Sequence, residues 1–231
     1  VTYLNPLRGI SSLVPERIDQ GVDYAGSGPL YALGNGTVLN TLNSGWPGGA
    51  FISFRLSDGP FAGKIVYYAE NITPAVSVGQ SVTPHTVVGT LVNTFPNSEL
   101  GWAAEPGTGE SLARASGQTA PAGDPGNVSS AYGKNFSDLL FSLGAPAGIM
   151  QGSVIGSLPS NWPAITPTPG GTMNLTLNGN PVPGTWSNAN IYKAANGKHV
   201  CVGTGTDGAV YAQESADGGV TWNRVVGNWP F

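Results

Sequence analysis

The apolar runs of this chain are short, and a glycine or proline cluster closes nearly every one of them. Its 231 residues include 35 glycines and 19 prolines. Such a composition without a strict period accompanies low complexity in some chains. Here the glycines instead punctuate Val, Ile, Leu and Tyr runs, as turns do in a β-protein. The runs predict strands over 30–32, 36–42, 50–56, 64–69, 87–92 and 98–102. Separators such as Gly45-Trp46-Pro47-Gly48-Gly49 and Ser57-Asp58-Gly59-Pro60 lie between them, and Asp-Gly tolerates the left-handed backbone of a tight turn. Short strands at such regular spacing favour a sandwich or barrel-like sheet, so the fold class expected is mostly β.

The pattern changes in three places. Residues 1–18 carry Pro6 and Pro15 and read as a lead-in, and residues 106–134 are polar and glycine-rich and read as a long loop. Residues 135–143 show helical periodicity with a Gly144 stop before Pro146, which predicts a short helix packed on the sheet. Residues 158–172 hold Pro159, Pro163, Pro167 and Pro169, a stiff linker by composition. Beyond it, strands are expected at 173–177, 191–194, 199–203, 209–213 and 222–226, with Asn178-Gly179 and Asn196-Gly197 as hairpin turns. This divides the chain into residues 1–158, a linker at 159–171, and a small all-β module over 172–231. A module of about sixty residues is marginal alone and is expected to lean on the first domain or on a partner.

Charge and cysteine usage exclude several functions. With nine Lys+Arg and a net charge of −4, no basic stripe exists to neutralise phosphates, so nucleic acid is not an expected partner. No apolar run approaches the roughly 20 residues of a membrane helix. The stretch 1–8 lacks the charged and apolar regions of a signal peptide, which leaves earlier cleavage or release in a virus particle as routes of export. Cys201 is the single cysteine, which excludes an intrachain disulfide and a cysteine-built zinc site; Val200 and Val202 beside it predict a buried strand thiol.

Between residues 4 and 105 a series of motifs stands in a definite order. It runs Asp19-Gln20-Gly21-Val22-Asp23-Tyr24, then Gly28-Pro29-Leu30-Tyr31-Ala32 to Val38, then Ile65-Val66-Tyr67-Tyr68-Ala69-Glu70, then Val78-Gly79-Gln80-Ser81-Val82 and Val88-Gly89-Thr90. In order and spacing this resembles the M23-type, LytM-like zinc peptidases. The resemblance implies a duplicated-hybrid β-fold, shared with biotinyl and lipoyl carriers. It also implies a zinc site built from a His-x-Gly-x-Asp run, a histidine on an intervening strand, and a later His-x-His. At those places this chain has Asp19, Asp23, Glu70 and Glu99-Leu100-Gly101, with no histidine at any of them. Zinc favours nitrogen, sulfur and some carboxylate ligands in a tetrahedral set, so zinc is not expected, nor is ordinary zinc hydrolysis. His85, in a turn, and His199, beyond the linker, are expected to be structural or solvent-facing.

Four meanings of the acidic replacement stay open. The site has decayed and its carboxylates are solvated; or Asp19, Asp23 and Glu99 hold a hard cation such as Ca²⁺. Alternatively, Asp23, Glu70 and Glu99 do paired-carboxylate chemistry as glycosidases do. Or the cleft binds glycan or peptide without cleavage, with Trp46, Tyr67, Tyr68 and Trp102 as an aromatic platform beside Asp19, Asp23, Glu70 and Glu99. Ser215-Ala216-Asp217-Gly218-Gly219-Val220-Thr221-Trp222 resembles the Asp-box of sialidases and BNR-repeat proteins, which implies a structural hairpin turn built on Ser215, Asp217, Gly219, Thr221 and Trp222, not sialidase activity. The expectation is a non-catalytic extracellular or virion-associated protein that needs no cofactor. A phage tail or capsid-surface component or a wall-associated protein would suit it, with assembly proteins, further copies of itself or cell-wall polymer as partners. The alternative is a peptidoglycan or glycan hydrolase working through the acidic cluster.

Overall fold

The computed structural model describes residues 3–43, 45–92, 94, 97–104, 106, 108–119, 128–165, 175–184, 186–205 and 210–225. In the first half the strands are β1 (Ser11–Ile18), β2 (Val22–Tyr31), β3 (Gly36–Asn43), β4 (Ala50–Leu56), β5 (Ile65–Glu70), β6 (Ile72–Pro74), β7 (Ser81–Val82), β8 (Val87–Leu91) and β9 (Ser98–Trp102). There follow α1 (Leu112–Ala115), β10 (Val128–Ser130), α2 (Ala131–Ser142), β11 (Ile149–Gln151) and β12 (Ser153–Ile155). The C-terminal part holds β13 (Thr176–Leu177), β14 (Asn180–Pro181), β15 (Trp186–Lys193), β16 (His199–Gly205), β17 (Val210–Ser215) and β18 (Asn223–Arg224). The fold is mostly β, as the sequence predicts.

One mixed sheet runs β18-β17-β16-β15-β11-β1-β2-β9-β5-β4-β3-β7, and β8 joins β2 to β6 beside it. Its central strands are buried on both faces, which is why β4 and β5 read as nearly unbroken apolar runs. Side chains alternate across each strand. Tyr24, Ile52, Phe54, Val66, Tyr68, Leu100 and Trp102 therefore face one core, with Phe136, Leu139 and Leu140 of α2 packed on it. Phe51, Ile65, Tyr67 and Ala69 face the other way, under Leu42 and Trp46.

Several expectations are corrected. The expected lead-in contains β1, whose Pro15 and Ser12 (φ 53°) interrupt the alternation that marks a strand. The expected loop contains α1 and β10, and α2 starts four residues before the predicted position. Ser130 caps α2 by accepting from the Gly133 N–H at 2.8 Å. Gly133 sits where a Cβ would come within 2.5 Å of the Asp19 carbonyl oxygen, so glycine lets the helix approach the site strands. Trp162 and Ile165, in the stretch read as a linker, pack against the first core with Leu158 just before it; 166–171 lie outside the described residues. So do 173–174, 209 and 226, the ends of three predicted strands.

The C-terminal strands join the first half through β11, which pairs parallel with both β1 and β15. A second core gathers Ala147 and Ile149 with Leu175, Leu177, Ala189, Ile191 and Cys201. Cys201 is buried as expected, and burial pushes its thiol up to about 12. At the β17–β18 turn Ser215 donates to Asp217 (2.8 Å) and accepts from the Gly219 N–H, while the Thr221 N–H donates to Asp217 at 2.9 Å. Gly218 and Gly219 take φ of 71° and 96°, and the Trp222 indole N–H closes on the Gly219 carbonyl at 3.0 Å. Among the described residues no helix is long and apolar enough to cross a membrane.

Candidate functional site

The site grows from the pairing of β2 with β9. Asp23 lies opposite Glu99 in that register, so both carboxyls emerge on one face, next to Tyr67 of β5. Asp19 reaches the same place from the turn between β1 and β2, and one carboxylate oxygen from each of Asp19, Asp23 and Glu99 lies within 4.8 Å of the other two. Gly21 keeps the turn tight: a Cβ there would meet the Leu100 carbonyl oxygen at 2.5 Å and the Tyr67 hydroxyl at 2.6 Å. The Tyr67 hydroxyl donates to Glu99 Oε1.

Alternation alone would place Glu70 on the Tyr68 side of β5. Its φ of 78°, left-handed and unusual for a residue with a side chain, breaks that pattern, and Glu70 lines the same clefts as the other carboxyls.

Arg17, two residues before Asp19, supplies the cluster's cation. Its Nε donates to Asp23 Oδ2 at 2.7 Å and its NH2 group lies 3.1 Å from Asp19 Oδ2. A guanidinium fork suits this bridging role. Asp23 Oδ1, by contrast, is buried with no hydrogen-bond partner.

One guanidinium does not neutralise four carboxyls. Burial, then repulsion from Asp19 and, for Asp23, attraction to Arg17 in opposition, leaves Asp23 and Glu99 well above the usual carboxylate range. Asp19 is raised by burial against the pull of Arg17. Burial and then Asp19 push Glu70 to about 7. For Arg17 burial acts downward, but Asp19 and Asp23 outweigh it and its pKa is raised. Burial and mutual repulsion thus raise the whole cluster against the single counter-charge of Arg17. An all-oxygen set of this kind suits a hard cation rather than zinc, and the position between Asp19 and Asp23 is bridged by Arg17.

Two clefts meet at Arg17 and Glu70. One, of about 550 Å³, is walled by Asp19, Glu99, Trp46, Leu42, Gln20 and Arg114. Trp46 is half-buried; its ring stacks on Phe51 at 5.6 Å and its indole N–H donates to the Gly109 carbonyl at 2.7 Å, so it forms an aromatic wall of the cleft. The second cleft, of about 340 Å³, lies at the seam with the C-terminal strands and includes Asp23, Lys193 and His199.

The aromatic platform is corrected at three positions, Trp102, Tyr68 and Tyr67. Trp102 is three residues beyond Glu99 in one strand and so faces the opposite core, donating to Asn135 Oδ1 at 2.9 Å and packing on Phe61 and Phe136. Tyr68 points the same way and donates to the Tyr31 carbonyl at 3.1 Å. Tyr67 is wholly buried beneath Trp46. His85 is exposed in its turn, and His199, expected to be structural or solvent-facing, lines the seam cleft with Asp23 and Glu70. Arg17 was not among the residues anticipated. Its signal is the strand period, since residues 17 and 19 share a face in a chain with only nine Lys+Arg.

No protein-family model matches this chain, and no curated protein matches it.

Proposed function

We propose that this is a non-catalytic binding protein of extracellular or virion-associated assemblies, built on a LytM-like domain that has lost its zinc chemistry. Its larger cleft would hold a polar polymer of the cell wall, glycan or peptide, without cutting it. One observation carries this reading: Arg17 bridges Asp19 and Asp23, the two residues that align with the first metal-binding pair, while the cleft beside them keeps an aromatic wall at Trp46. A fixed guanidinium supplies positive charge but no bound water to attack a peptide. Carboxyls and an indole face are the groups that recognise sugar hydroxyls and apolar sugar faces. The turn built on Ser215 and Asp217 supports a surface-type β-module in the same chain.

The test is co-sedimentation with purified peptidoglycan. The chain should be retained, Trp46→Ala should lower retention severalfold, and the supernatant should contain no new soluble fragments. Absence of retention removes the binding role. Soluble fragments, lost in Asp23→Asn or Glu99→Gln, would favour the rival reading of an acid-cluster hydrolase, whose support is Glu70 titrating near 7 within the cleft.

A further inference from the structure

The seam cleft has a different character from the polymer cleft. Its walls come from two parts of the chain that the sequence separates by more than a hundred residues: Asp23 and Glu70 on one side, Lys193 and His199 on the other, with Gln151 and Asn178 between. Lys193 and His199 are cross-strand partners, and Lys193 lies opposite Gln151 in β11, so the wall is part of the sheet.

Two carboxyls on the acidic wall keep an acceptor to spare. Glu70 is 4% exposed, yet among the described residues nothing donates a hydrogen bond to its carboxylate. Asp23 is 5% exposed, and its Oδ1 has no partner either. An unsatisfied buried acceptor is costly, and a donor from a ligand relieves that cost. On the opposite wall Lys193 is exposed and forms no ion pair with a described residue. His199 is held below its usual value by burial and then by Lys193, so it faces the cleft as a neutral imidazole at neutral pH. Arg17 is already engaged by Asp19 and Asp23, and Glu16 accepts from Asn97.

We infer that the seam cleft is a second binding site, for a short zwitterionic peptide whose ammonium meets Glu70 and Asp23 and whose carboxylate meets Lys193 and His199. The spacing fixes the size. In the sheet order β15-β11-β1-β2, Lys193 and Asp23 stand three strand spacings apart across the sheet and two residues apart along it, about 16 Å between Cα atoms. Side chains reaching inward from both walls shorten this to the span of an extended dipeptide, about 7 Å. A free amino acid is too short to touch both walls, and a purely anionic or cationic ligand would leave one wall unpaired. Gln151 and Asn178 also line the cleft; their amide N–H groups already donate to the carbonyls of Ile149 and Gly218, which leaves their amide oxygens as acceptors for a peptide N–H. This site does not depend on the polymer cleft or on Trp46.

The probe is dialanine, titrated calorimetrically into the full chain. Dialanine should bind, and N-acetyl-dialanine, dialanine amide and free alanine should each bind at least about tenfold more weakly, since each loses a charge-assisted contact. Lys193→Ala, an exposed position where the fold tolerates truncation, should weaken dialanine about tenfold, as should Glu70→Gln, while Trp46→Ala leaves it unchanged. Absence of dialanine binding overturns the inference, as does equal binding of the acetylated or amidated forms. A chain that binds dialanine but is not retained on peptidoglycan would refute the polymer cleft alone.

Discussion

Replacing Arg17 by methionine tests whether a built-in cation holds the carboxyl cluster together. The guanidinium contacts Asp23 at 2.7 Å and Asp19 at 3.1 Å, and Asp23 is 5% exposed, so the substitution leaves a buried carboxyl without its counter-charge. Removing one member of a buried ion pair costs about 3–5 kcal/mol. The Arg17 side chain is 42% exposed, and water takes over part of its role, which brings the expected loss to about 2 kcal/mol at pH 8. The loss should depend on pH in a definite sense. Asp19, Asp23 and Glu99 are all raised by burial, so on acidification they take up protons earlier in the folded state than in the unfolded chain and have less charge for Arg17 to pair with. The loss at pH 5 should then fall below about 1 kcal/mol. Urea unfolding at the two pH values reads this directly: with a slope near 2 kcal/mol per molar, the midpoint should drop by about 1 M at pH 8 and less than half as much at pH 5. Millimolar Ca²⁺ should stabilise the variant at pH 8 and leave the parent chain unchanged, because only the variant has an open position among three carboxylates. An equal loss at both pH values, or a larger one at pH 5, would refute the reasoning.

Two further substitutions follow from the same geometry. Glu70 titrates near 7 in the folded chain against its usual 4.5, so the folded state retains a proton that the unfolded state releases, and stability falls as pH rises from about 4.5 to 7. Glu70→Gln should flatten that slope and exceed the parent at pH 8 by about 2 kcal/mol, allowing for water in the clefts; urea midpoints across that window that stay parallel for both proteins would contradict this. Gly133→Ala should destabilise by about 1–3 kcal/mol in thermal unfolding, because its Cβ would press on the carbonyl oxygens of Asp19 and Gly21 at 2.5 and 2.7 Å; an unchanged midpoint would mean that α2 can shift away from the site turn without cost.

The sequence predicts those parts of the fold whose pattern is local. Residues 50–56 coincide with β4 because an apolar run there ends in turn chemistry, and 98–102 coincide with β9, where Leu100 and Trp102 keep the period of two. β1 is hidden by Pro15 and by the irregular backbone at Ser12, and the start of α2 by Ser130 and Gly133, residues chosen for a cap and for close approach rather than for helix propensity. Of the candidate site, the gathering of Asp19, Asp23 and Glu99 was expected from motif order. The division of Tyr68 and Trp102 from it was also available, since alternation puts residues 99 and 102 of one strand on opposite faces. Glu70 defies alternation through its positive φ, and no local signal announces that. The arrival of His199 and Lys193 depends on the parallel pairing of β11 with β15, a long-range choice that periodicity in either segment does not encode.

The three-residue strand β11 is also a mechanical coupling. Tension on the meander of β15 to β18 passes into β11 and from there to β1, where Arg17 stands opposite Ile149. A pairing this short resists shear through very few hydrogen bonds, and a slip of one residue would carry each side chain of the displaced strand to the other face. Pulled hard enough, this seam would part before the β1–β2 hairpin does, so a load on one end of the sheet would draw Lys193 and His199 away from Asp23 and Glu70 while Arg17 stays with Asp19 and Asp23.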